Sequence, residues 1–94
     1  MIIVLLRYIG DVTPHRDAHV AWLREALAEG RLITAGRQPE TGGVLIARGE
    51  RGDVEAWAAR DPYLLAGVAV NEFVEFMPSM AAPGLESLLA WPSR

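Results

Sequence analysis

Residues Ile2–Ile9, IIVLLRYI, are apolar almost without a break and rich in branched side chains. Strict alternation would leave one face wet, so this run predicts a central strand covered on both faces. Gly10 and Asp11 then turn the chain. Thr13 followed by Pro14 has the form of a helix start, with Thr13 as N-cap and the proline where its missing N–H costs nothing. From Pro14 to Glu29 the apolar positions recur at helical spacing. His19, Trp22, Leu23, Ala26 and Leu27 share one stripe, and Asp17, Ala21, Arg24, Glu25 and Ala28 lie opposite. Gly30 is the expected stop.

Leu32–Arg37 and Val44–Arg48 read as strands, and the turn-rich QPETGG of Gln38–Gly43 joins them as a hairpin. Asp53 is placed to cap a second helix, on which Val54, Trp57 and Ala58 form a stripe that residue 61 would continue. That residue is Asp61, and Pro62 disfavours helix at it. Tyr63–Ala66 suit a further turn, and Val68–Met77 a last strand. The order β-α-β-β-α-β predicts a ferredoxin-like α+β fold, a four-stranded antiparallel sheet with both helices on one face. The domain is expected over residues 1–78. Residues 79–94 form a tail or arm, in which Leu85, Leu88 and Leu89 have helical spacing.

Composition narrows the function. A chain of 94 residues makes one small domain. Half of it is apolar, rich for a small monomer, which points to a dense core or to a second chain covering part of the surface. All nine basic residues are arginines, none in a run, and the net charge is −3, so nucleic acid is not an expected partner. There is no cysteine and only His15 and His19, so no thiolate chemistry and no metal or other cofactor is expected. The apolar start is too short to span a membrane and lacks a basic leader, which leaves the cytoplasm as the expected location.

Two polar residues stand alone on apolar stripes, His19 and Asp61. Antiparallel helices would bring the start of the first beside the end of the second, and so bring these two residues together. A carboxylate on one imidazole nitrogen leaves the other as a base. A buried His–Asp bond that only closes the core fits the same spacing. The fold would carry Tyr8, Gly36, Arg37, Gly43 and Gly67 to the same edge, and glycines there leave room for a ligand. Arg16, one turn before His19, and Arg37 suit an anionic group, and Tyr8 suits a hydrogen bond. His15 is expected in solvent, Trp22 and Trp57 in the core, and Gly42-Gly43 in a hairpin, since no helix follows to make a phosphate loop.

The motifs Arg16-x-x-His19, WLREALAEGRLITAG from Trp22 to Gly36 and WAARDPYLLAGV from Trp57 to Val68 resemble those of YciI-like proteins, the YCII-related domain family. The resemblance covers residues 1–78; the Gln38–Gly43 connector is shorter than the family pattern, and the tail lies outside it. It implies a ferredoxin-like domain that pairs through its sheet, as in dimeric α+β barrel enzymes, with His19 and Asp61 as the active site. It also implies a chemistry such as loss of HCl from a chlorinated hydroxyhydroquinone. The expected protein is therefore a homodimer, with higher assembly open. It would use a His–Asp dyad for cofactor-free elimination or isomerisation of a small polar or aromatic-derived molecule. The alternatives are a dimeric binding module without chemistry and a structural dimer with a core His–Asp pair.

Overall fold

The computed structural model describes residues 1–90. Strand β1 (Ile2–Tyr8) leads through a 3-10 turn (Thr13–His15) into helix α1 (Arg16–Glu29). Strands β2 (Leu32–Gln38) and β3 (Gly42–Ala47) form the hairpin, followed by α2 (Arg51–Ala58), the single turn α3 (Pro62–Leu65), and β4 (Ala69–Glu75). All neighbours in the sheet are antiparallel, in the order β2-β3-β1-β4. This is the expected ferredoxin-like arrangement.

The sheet register sorts the side chains. Ile2, Val4 and Leu6 lie opposite Ala47, Leu45 and Gly43 of β3. Their face packs with Ala26 of α1 and with Val54, Trp57 and Ala58 of α2, forming the core. Ile3, Leu5, Val44, Ile46 and Val70 point the other way and are half-buried. The expectation that the first strand is covered on both faces therefore holds on the helical side. On the outer side Ile3 and Leu5 keep part of their surface in solvent.

Strand β2 slips by one residue between Leu32 and Thr34. A bulge of this kind changes which alternate residues share a face. Leu32 is opposite Ala47, but beyond the slip Ala35 and Arg37 are the residues opposite Leu45 and Gly43. Both thus lie on the helical face, although an unbroken strand would have turned them away from it.

Several element ends differ from the expectation. Thr13 is not the cap of the first helix. Its own N–H donates to Asp11 Oδ1 at 3.0 Å, so the aspartate holds the turn. The α-helix proper begins at Arg16, behind His15, whose side chain makes no capping bond. Gly30 ends it as expected, with φ at 80°. Leu27, at the margin of the apolar stripe, is exposed. Helix α2 starts at Arg51, before Asp53, which lies in its first turn and suits the helix dipole there. It ends at Ala58, so Asp61 is not its last residue. In the tail, Leu88 and Leu89 fall in a 3-10 turn, Glu86–Ala90. Residues 91–94 of the expected arm lie outside the described residues.

Candidate active site

Helix α1 presents His19 toward the sheet, in its first turn. Asp61 follows α2 and serves as N-cap of α3, with Pro62 at the first helical position. Proline makes that turn begin abruptly and directs the carboxylate back over its own N-terminus. Asp61 Oδ1 accepts the Tyr63 N–H at 2.9 Å. The same oxygen accepts from His19 Nδ1 at 2.7 Å. The histidine is 8% exposed and the aspartate 1%. Asp61 Oδ2, also buried, has no partner among the described residues.

With Nδ1 committed to the carboxylate, Nε2 is the free nitrogen of His19. The ring borders a cavity of about 350 Å³. Leu6, Leu23 and Leu45 give this cavity an apolar lining, and Arg16, Arg37 and Tyr8 supply its polar groups. Burial, and next the neighbouring Tyr63, raise the Tyr8 phenol above its ordinary pKa, while the Arg16 and Arg37 guanidiniums pull it back. At neutral pH the phenol is thus protonated and can donate a hydrogen bond.

The sequence candidates His19, Arg16, Arg37, Tyr8 and Gly36 all line this one cavity, and Asp61 stands behind His19. Gly36 contributes backbone, and a methyl group added there would meet nothing within 4 Å. Gly43 lines the cavity as well, whereas His15 and Gly67 do not. The aromatic surroundings were not expected. The Tyr63 ring lies flat against the His19 imidazole, with centroids 3.9 Å apart. Trp22 and Trp57 stack on one another at 4.3 Å, and Trp57 is in the core as expected while Trp22 is half-buried. Tyr63 directly follows Asp-Pro, so from sequence it reads as a turn residue, and nothing in its spacing marks it as a partner of His19.

A model of the YCII-related domain matches residues 1–77. The chain belongs to the YCII-related domain family. It is 38% identical over 72 residues to an uncharacterised protein of Haemophilus influenzae, spanning 64% of this chain and 74% of that one. It is 42% identical over 65 residues to the protein YciI of Escherichia coli, 56% of this chain and 66% of that one. Among solved structures it is similar to 5-chloro-2-hydroxyhydroquinone dehydrochlorinase from Burkholderia phenoliruptrix, in complex with 2,5-dihydroxybenzoquinone. That likeness has a TM-score of 0.60 at 20% identity and covers 81% of this chain and 93% of that one. At this identity the likeness speaks for the fold. Among the described residues of this YCII-related chain, no three His, Cys, Asp or Glu side chains gather as a metal site, and no helix is long and apolar enough to cross a membrane.

Proposed function

We propose that this YCII-related chain is a small acid–base enzyme in which His19 is the general base and Asp61 orients it. The observation that carries this reading is an imidazole locked through Nδ1 by a buried carboxylate, with its other nitrogen free beside a cavity. In the proposed step Nε2 takes a proton from a carbon next to a carbonyl or enol of the substrate. The electron pair of the broken C–H bond moves into a new double bond. It either expels a leaving group with its electrons, as chloride leaves in a dehydrochlorination, or is reprotonated elsewhere to complete an isomerisation. Asp61 stabilises the imidazolium so formed. Arg16 and Arg37 hold the anionic oxygens of the substrate, and the Tyr8 hydroxyl donates to the oxyanion that develops. Gly36 adds backbone to the wall against which the ring lies. The apolar lining and the cavity size suit a single-ring molecule. The fold likeness to a dehydrochlorinase solved with a dihydroxybenzoquinone supports this choice.

In this reading the chain works in the cytoplasm as a homodimer that packs the outer sheet face, around Ile3, Leu5, Val44 and Ile46, against a second copy. Residues 1–78 form the catalytic domain and residues 79–94 an arm beyond it. The test is a thermal-shift screen with hydroxyquinones, lactones and small dicarboxylates, followed by turnover of whatever stabilises the protein. His19→Ala is expected to fold with near-normal stability and to lose about 10²-fold or more in turnover. Full turnover in that variant would end the catalytic reading. Binding that survives with no turnover in the unsubstituted protein would leave a binding module.

A further inference from the structure

Tyr63 touches both members of the dyad. Its backbone N–H donates to Asp61 Oδ1 at 2.9 Å, and its ring is parallel to the His19 imidazole within 8°, at 3.9 Å between centroids. It is 2% exposed, and Tyr8 meets it edge-on, at 5.9 Å and 89°. Both contacts come from one residue because Asp61 caps α3. An N-cap carboxylate takes the N–H two residues on, which fixes the backbone of that residue against the carboxylate. A hydrogen bond at Nδ1 holds an imidazole by one atom and leaves the ring free to tilt about that bond. A flat ring against its face removes the tilt.

We infer that Tyr63 is the positioning residue of the dyad: it ties the plane of the His19 ring to the Asp61 carboxylate and so aims Nε2 into the cavity. This rests on the reading of His19 as the base. The stack has a second consequence. The face of a phenol ring is electron-rich and attracts a cation, so the imidazolium formed by proton abstraction is met by Tyr63 on its face and by Asp61 at its edge. Neither effect uses the Tyr63 hydroxyl. Phenylalanine should therefore replace tyrosine, and leucine, which keeps the backbone N–H and much of the apolar bulk, should not.

The experiment is imidazole NMR on the 94-residue chain and on Tyr63→Phe and Tyr63→Leu. In the unsubstituted protein the ring current of Tyr63 is expected to move the His19 carbon-bound protons upfield of those of His15. The His19 Nδ1–H is expected to exchange slowly with water. Tyr63→Phe should keep both signatures. Tyr63→Leu should lose the upfield shift and exchange its Nδ1–H about tenfold faster or more. With a turned-over substrate, kcat should fall in Tyr63→Leu while KM changes little. The inference is overturned if the unsubstituted protein shows no upfield shift, or if the Nδ1–H of Tyr63→Leu exchanges as slowly as before. If Tyr63→Leu does not fold, the shift is read in Tyr63→Phe and in Trp22→Leu, because Trp22 also lies near the imidazole, with centroids 6.0 Å apart: an upfield shift that persists in both supports the inference, and its loss in Trp22→Leu overturns it. A substrate panel without turnover tells against His19 as a base and leaves the NMR result standing. Unchanged spectra and turnover in Tyr63→Leu remove Tyr63 and leave the dyad.

Discussion

Asp61 Oδ1 accepts two hydrogen bonds while Oδ2, equally buried, accepts none among the described residues. The carboxylate is thus held on one side only, by the two groups that it organises. Asp61→Ala leaves the His19 Nδ1–H and the Tyr63 N–H without an acceptor in a dry site, at an expected loss of about 3 kcal/mol in denaturant unfolding. Asp61→Asn keeps an oxygen for both donors and is expected to lose about 1 kcal/mol. It removes the negative charge that faces the imidazolium, so its turnover should fall about as far as that of Asp61→Ala. If Asp61→Asn retains full activity, the charge has no part in the chemistry. Tyr8 gives a pH signature. Its pKa is raised in the fold, so between the ordinary phenol value and the higher folded value the native state binds more protons than the unfolded one. Stability contributed by the neutral phenol is full below the ordinary value and falls as pH rises through that window. Thermal unfolding above about pH 10 should fall less steeply with pH in Tyr8→Phe than in the unsubstituted chain. His19 and Asp61 were legible because each is a polar residue interrupting an apolar stripe, and the fold brings the two stripes together. Tyr63 was not, because an aromatic residue among apolar neighbours carries no sign of what its ring faces.

Strands and helices were read from periodicity, and their order and type came through intact. Their ends did not, because caps depend on which side chain wins a local hydrogen bond. Thr13 lost that contest to Asp11. Asp61, read as a continuation of the α2 stripe, became the cap of α3. The hairpin shows a sharper local constraint. A Cβ at Gly42 would lie 1.8 Å from the Leu6 carbonyl oxygen and 2.7 Å from its carbonyl carbon. Both obstacles are backbone, so they move only if β1 and β3 separate. Gly42→Ala is expected to cost about 4 kcal/mol or more, or to prevent folding, whereas Gly36→Ala should stay within about 0.5 kcal/mol. Denaturant melts of the two variants check this directly, and equal stabilities would show that the strands can part at no cost.

The molecule as a whole has one well-built core and one unfinished face. Helices cover Ile2, Val4 and Leu6, but Ile3, Leu5, Val44 and Ile46 are only half-buried, and Val74 of the same face is exposed. A small domain with half of its residues apolar has more apolar surface than its two helices can cover. A second copy at this face would explain the surplus. Leu5→Arg tests it, because Glu72 lies opposite residue 5 on β4 and can receive the new guanidinium without unfolding the strand. Light scattering should show the unsubstituted protein at twice the chain mass and the variant at the chain mass, with unchanged circular dichroism. A monomeric unsubstituted protein would remove the dimer.

The one-residue slip in β2 couples these two faces. Leu32 anchors the strand in the core, and Arg37 reaches the cavity only because the phase changes between them. Were the slip healed with the chain otherwise unchanged, Arg37 would turn to the apolar outer face and the cavity would lose a cation. A single misregistered pairing would then be penalised twice, once by a cavity without its second cation and once by a guanidinium set opposite Gly42, on the same face as Arg7 and of like charge. An arginine on an edge strand thus proofreads the pairing of the strand that carries it.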